Sequence, residues 1–171
     1  MKMRSTRWCP VLVVVLSGVG AVAAYPLVSS PVADPQGSPS SPISGTWLAN
    51  IEKSKRDPNH QFQSATMQFV VAGDTVTLTY GGVNAGGQQE SSTIVLQADG
   101  KEHPVPGQSG VTVVTGWIGP RLLQTVGKSA GAPVGEQSYE VSTDGKTLTA
   151  KVSGIDASGK RFELVIVFDR K

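Results

Sequence analysis

Apolar and polar residues alternate singly through most of the chain. Ala65, Met67, Phe69 and Val71 are spaced by Thr66, Gln68 and Val70, and Val76, Leu78 and Tyr80 by Thr75, Thr77 and Thr79. Tyr139 and Val141 alternate with Ser138 and Glu140, and Leu148, Ala150 and Val152 with Thr149 and Lys151. Phe162, Leu164, Ile166 and Phe168 alternate with Arg161, Glu163 and Val165. Side chains on a strand point to opposite faces in turn, so each apolar set can line one interior. No stretch beyond the N-terminus carries a helical period.

Turn-forming pairs separate these runs: Gly73-Asp74, Asp99-Gly100, Gly119-Pro120 and Asp144-Gly145. The pattern predicts about ten strands: 45–51, 64–72, 75–80, 88–97, 102–105, 110–117, 121–126, 137–142, 147–152 and 160–169. The expected fold class is all-β, an antiparallel up-and-down barrel of about 8–10 strands; a two-sheet sandwich satisfies the same alternation. Residues 75–88 also align without gaps onto 147–160, with Val76 on Leu148, Gly82 on Gly154 and Asn84 on Asp156. Traced as a meander, one end carries the short turns. The other carries 52–63, 82–87, 106–109, 127–136 and 154–159, mostly longer. This distribution predicts a closed floor and a mouth built from Gly-rich loops, where a ligand would enter. Val165 and Val167 make the last strand apolar on its outward side too, which predicts a covered or paired strand.

The N-terminus follows a different grammar. Lys2, Arg4 and Arg7 precede an apolar run from Val11 to Ala24, with small residues at Ala21, Ala23 and Ala24. This is the form of a signal peptide over 1–24, cleaved near Ala23 to Tyr25. The run is about 14 residues, short of the roughly 20 that span a bilayer. A Pro- and Ser-rich linker follows over 25–42, and 43–171 forms the single folded domain. The expected location is secreted or periplasmic, with no membrane span after cleavage.

Processing changes the composition. The full chain has fifteen Lys and Arg against thirteen acids. Three of the cations lie in the signal, so the mature chain has twelve against thirteen, a net charge of −1. No basic excess marks a nucleic-acid binder. The single cysteine, Cys9, is also lost. Disulfides, thiol catalysis and Cys-type zinc sites go with it.

Little remains for catalysis. The mature chain has two histidines, His60 and His103, and lacks a nucleophile elbow, a His-Glu-x-x-His motif and a phosphate loop. No catalytic residue, metal ligand or cofactor is expected. Met67, Phe69, Tyr80, Trp117, Tyr139 and Phe162 either line a pocket or fill the core, since a barrel of about eight strands has room for side chains or one small ligand. The mouth segments bring Lys55, Arg56, His60, Asn84, Asp156 and Arg161 together with Lys53, Lys128 and Lys160. Glu52, Asp57, Glu136 and Asp156 dilute that positive charge.

Gly45-Thr46-Trp47 opens the first strand, and the chain ends Val167-Phe168-Asp169-Arg170-Lys171. Gly-x-Trp resembles the signature of lipocalins and of the wider calycin group. The domain as a whole is similar to small exported bacterial proteins described as lipocalin-like, through Gly45–Lys55, Asp99–Gly107, Ser142–Thr149 and the Phe-Asp-Arg-Lys end. The resemblance implies that Trp47 and Arg170 form the barrel floor, with a cation–π contact worth about 0.5–2 kcal/mol. The Thr-Asp-Tyr element of typical lipocalins is missing, and 52–63 is too short for a helical lid. The expected function is non-enzymatic binding of a small hydrophobic or amphipathic ligand in the barrel. The alternative is a structural or protein-interaction module using its outer face or an edge strand. The oligomeric state is not legible in the sequence.

Overall fold

The computed structural model describes residues 41–56, 58, 60–106, 108–156 and 159–171. The predicted signal peptide, all of the linker but its last two residues, and Asp57 lie outside them. Ten strands follow one another: β1 (Gly45–Lys55), β2 (Phe62–Ala72), β3 (Thr75–Asn84), β4 (Gln89–Gln97), β5 (Glu102–Pro104), β6 (Val111–Trp117), β7 (Leu122–Ser129), β8 (Ala132–Val141), β9 (Thr147–Ile155) and β10 (Arg161–Arg170). They form one antiparallel sheet in the order β4-β3-β2-β1-β10-β9-β8-β7-β6-β5. First and last strands pair, so the sheet curls into a nearly closed barrel and the sandwich is excluded. The two edges, β4 and β5, share no ladder. The β4–β5 connection is tied to β6 by Gly100 N–H donating to Thr115 O at 2.9 Å.

The alternation sets the interior. Met67, Phe69, Val76, Leu78, Tyr80, Tyr139, Val141, Leu148, Ala150, Val152, Phe162, Leu164, Ile166 and Phe168 are all buried in one core. β10 is central, between β1 and β9. β1 pairs with it, Lys55 opposite Val165 and Asn50 opposite Val167 across a bulge, and both outward valines are half-buried. Within that bulge Ser54 Oγ replaces a ladder partner, accepting from Val167 N–H at 3.0 Å.

The strands run further than the sequence predicts at the mouth end. β3 continues to Asn84 and β9 to Ile155, while β7 and β8 extend until only Ala130 and Gly131 join them. Both of those residues have positive φ, 49° and 79°, as a two-residue hairpin turn with the strands' own twist requires. The mouth is therefore corrected in part: most of 127–136 is strand, whereas 82–87 is strand only to Asn84 and 154–159 only to Ile155. Their glycines were read as loop signals, yet Gly82 and Gly154 serve close approach inside the sheet. A Cβ on Gly82 would lie 2.5 Å from the Ser64 carbonyl oxygen and 2.8 Å from Tyr80 Oη.

The internal similarity has structural content. β3 pairs with β4 from Thr75↔Gln97 to Val83↔Gln89, and β9 with β10 from Thr147↔Asp169 to Ile155↔Arg161, the same register 72 residues on. The connecting loops match as well. Asn84 N–H donates to Gln88 O and Asp156 N–H to Lys160 O, both at 2.9 Å. Each side-chain carboxamide or carboxylate Oδ1 accepts from the N–H four residues on, at 3.0 Å. The similarity stops upstream. Met67 pairs with Tyr80, whereas Tyr139 pairs with Ala150 rather than Val152.

Candidate ligand site in the barrel

Trp47 is fully buried, and its indole N–H donates to Ile43 O at 2.8 Å. The Arg170 guanidinium lies 4.1 Å above its ring. Each guanidinium nitrogen donates to a different carbonyl: Nε to Gly145 at 2.7 Å, Nη1 to Ser44 at 3.0 Å and Nη2 to Pro42 at 2.6 Å. These bonds lace the chain entering β1 and the β8–β9 turn across the end of the barrel.

Above that floor the inward residues of β6 to β10 fall into rows. Trp117, Leu123, Tyr139, Ala150 and Ile166 make the first. Thr115, Thr125, Gln137, Val152 and Leu164 make the second. Val113, Gly127, Gly135, Gly154 and Phe162 make the third, nearest the mouth. The first row is solid: Tyr139 meets Phe69 of β2 edge-to-face at 5.2 Å, closing the interior from wall to wall. Desolvation pushes the Tyr139 hydroxyl pKa far up, and that hydroxyl donates to Gln137 Oε1 at 2.7 Å. The second row turns polar, with Thr115 and Thr125 hydroxyls 3.1 Å apart. In the third, three successive inward positions carry no side chain.

The six predicted interior residues therefore divide. Phe69, Tyr139 and the half-buried Trp117 belong to the packed floor half. Met67 and Tyr80 share a rung of β2 and β3 that continues to Ser92 of β4. Phe162 stands at the mouth with its ring against Gly154, where a Cβ would lie 3.1 Å away. His60 stacks on it at 4.5 Å.

The predicted mouth residues also separate. Arg56 sits 5.0 Å over the Phe62 ring and donates to Phe62 O at 2.9 Å. Lys55, Asn84 and Arg161 stand on strands rather than loops, and Asp156 holds the β9–β10 turn. His60 and His103 do not meet: His103 on β5, paired with Val113, has its Nε2 2.9 Å from Asp99 Oδ1. Asp99 is held below the usual carboxylate range by the Lys101 backbone N–H and then by His103. Among the described residues no group of three His, Cys, Asp or Glu is placed to hold a metal ion.

Two features escaped the sequence. Glu90, on the inward face of β4 opposite Gly82, accepts from Asn84 Nδ2 at 2.8 Å. Its Oε2 is buried without a hydrogen-bond partner among the described residues. The other is a depression of about 480 Å³ behind the glycine row. It is lined by the outward residues Val126, Glu136, Ser153 and Glu163 and by Gly135, Gly154 and Phe162 of the inward row, so it lies at the sheet where the glycines thin it.

No protein-family model and no curated protein matches the sequence. Solved structures do. The fluorescent protein UnaG is 17% identical with a TM-score of 0.51, covering 75% of this chain and 97% of its own. The fold is a calycin-like β-barrel. A zebrafish ileal bile-acid-binding protein solved with cholic acid is 17% identical, with a TM-score of 0.48, covering 77% of this chain and 100% of its own. Rv2717c from M. tuberculosis is 19% identical, at 0.48, covering 77% of this chain and 94% of its own. In this calycin-like barrel the floor half is filled by aromatic and aliphatic side chains, and the rows above it mix glycine and short polar residues with Val113, Val152, Phe162 and Leu164.

Proposed function

We propose that this chain is an exported, non-enzymatic binding protein that holds a small hydrophobic or amphipathic ligand in the mouth half of its barrel. One observation carries the reading: Gly127, Gly135 and Gly154 are adjacent inward positions on three neighbouring strands. Barrel diameter is set by strand number, so rows of equal width with fewer side-chain atoms leave more of the interior to a guest. Phe162 and His60 would be the covering groups that a ligand displaces. Export rests on the basic start, the apolar run and the small residues near Ala23.

Native mass spectrometry of the protein purified from its own host tests binding, with a retained mass of a few hundred daltons expected. A bare chain that also fails to bind a panel of fluorescent apolar probes would refute it. Sequencing the N-terminus of the same material tests export, with a start near Tyr25 expected.

A second reading has one specific support. The outward face of β2, β3 and β4 carries only Thr, Ser, Gln, Val, Ala and Gly, with Val70, Thr77 and Val95 in one row. Val70 and Val95 are more than half exposed, and β4 is an edge. Such a face can lie against a second copy of the chain without like-charge repulsion. Light scattering at micromolar concentration decides it: a dimer supports this reading and a monomer refutes it.

A further inference from the structure

We infer that the mouth-half site prefers a ligand with a cationic amine head, which Glu90 receives, and that such a ligand enters through the seam between β4 and the β5–β6 edge. This deepens the carrier reading proposed above and rests on it.

The argument starts from the edge. β4 presents Glu90, Ser92, Ile94 and Leu96 to the interior, by their pairing with Gly82, Tyr80, Leu78 and Val76. Leu96 is buried and Ile94 packs against the core. Ser92 is exposed although it faces inward. Solvent thus reaches the inward side of this strand at Ser92, where β4 has no ladder partner on its far side. Across the seam β6 turns the buried apolar residues Val111 and Val113 inward.

Glu90 is held, not loose. Asn84 Oδ1 accepts from the N–H groups of Gly86 at 2.9 Å and Gln88 at 3.0 Å. Those two bonds leave Asn84 Nδ2 as a donor, and it binds Glu90 Oε1. One carboxylate oxygen is therefore committed. The other, Oε2, is buried and has no partner among the described residues. A buried carboxylate oxygen without a donor is costly, and an ammonium supplies a charge-assisted hydrogen bond where a carboxylate head would meet like charge. Ile94, two inward positions along β4, and Val111 and Val113 on β6 are apolar and suit an alkyl or aryl body. The ligand class that fits is an amphipathic amine.

The test compares three probes of equal chain length, dodecylamine, dodecanol and dodecanoate, below their aggregation concentrations, with affinities read by displacement of an apolar fluorophore. Wild-type protein is expected to bind the amine at least about tenfold more tightly than the alcohol, the value of one charge-assisted hydrogen bond. The carboxylate should bind most weakly. In Glu90→Gln, checked for an unchanged melting curve, the amine should fall to the alcohol's level while the alcohol itself is unaffected. Equal wild-type binding of amine and alcohol overturns the inference and leaves the carrier reading standing. So does a preference that survives Glu90→Gln. If none of the three probes binds, the carrier reading itself fails and the inference falls with it. The wild-type series decides the matter even if the variant does not fold.

Discussion

Gly81 and Gly82 are neighbours in sequence but occupy opposite faces of β3, and they predict alanine substitutions of opposite sign. A Cβ on Gly81 meets nothing within 4 Å. There, alanine removes unfolded-state entropy at no steric cost, and Gly81→Ala should stabilise the fold by about 0.4–1 kcal/mol. A Cβ on Gly82 would lie 2.5 Å from Ser64 O, 2.8 Å from Tyr80 Oη and 3.3 Å from Ala65 Cα. Two of those atoms are backbone of β2, so no side chain can turn aside and the β2–β3 ladder must shift. Gly82→Ala should cost about 2–3 kcal/mol, the upper part of the overpacking range. Gly154→Ala should fall between, because its nearest neighbour at 3.1 Å is the Phe162 ring. That ring can move, but only by disturbing its stack with His60. Urea unfolding followed by circular dichroism measures all three, with the slope m unchanged. At roughly 3–5 °C per kcal/mol for a domain of this size, Gly81→Ala and Gly82→Ala should melt about 10 °C apart. A Gly82→Ala protein that unfolds alongside Gly81→Ala would refute the claim that inward glycines here serve close approach.

Two further expectations concern the floor and the surface. Arg170→Lys should lower Tm by roughly 2–6 °C and shift the tryptophan emission, because an ammonium cannot reach three carbonyls and lie flat on Trp47 at once; an unchanged melt and spectrum would refute a bracing role. Asp169 is held below the usual carboxylate range by Asn50 and then Lys53, Asp144 by the Ser142 hydroxyl and then the Lys146 N–H, and Glu102 by Lys128 and then Thr112. Their folded pKa values are depressed, so their contribution is present above the ordinary carboxylate range near 4 and lost as pH falls through the lowered values. Tm should therefore decline from about pH 5 downward, and Asp169→Asn should make that decline shallower; an identical pH profile in the variant would remove Asp169 from the account.

Period-two alternation was enough to locate ten strands and their buried sets, because an inward phase broken in one residue would expose every apolar side chain of that strand. It could not separate the two uses of glycine. Gly131 sits at a turn because of its φ, whereas Gly82 and Gly154 sit inside strands because neighbouring atoms occupy the space of a Cβ. Both look like loop signals in the sequence. The site was less legible. Phe162 reaches the mouth half, but Met67 pairs with Trp47 of the floor, and Phe69 and Tyr139 are joined by a contact between strands about seventy residues apart, which no local pattern encodes. Glu90 shares the phase of Ile94 and Leu96 in the predicted strand, but its polar neighbours gave no reason to single it out; the pairing with Gly82 confirms that it faces inward.

That pairing also explains why a carboxylate is tolerated there. β3–β4 and β9–β10 share one register, so each inward residue of β4 has a counterpart on β10: Glu90 with Phe162, Ser92 with Leu164, Ile94 with Ile166 and Leu96 with Phe168. Toward the floor both copies are apolar. Toward the mouth the central copy stays apolar and the edge copy turns polar. β4 is an edge and β10 is flanked on both sides, so only β10 is held apolar at every inward position. If Glu90 is kept for a ligand rather than for the fold, an apolar residue in its place should be the more stable choice. Glu90→Leu removes an acceptor whose lack of a partner costs about 1–3 kcal/mol, against about 1 kcal/mol for the Asn84 bond lost with it. Asn84 keeps its two backbone donors, and its Nδ2 keeps Gln88 Oε1 at 3.3 Å. The net expectation is a gain of about 0.5–2 kcal/mol in urea unfolding, together with loss of the amine preference, the pattern of a residue held for function at a cost in stability. A Glu90→Leu protein less stable than Glu90→Gln would reverse the assignment. The carboxylate would then be the anchor of the β3–β4 turn, and the seam would have no head-group receptor.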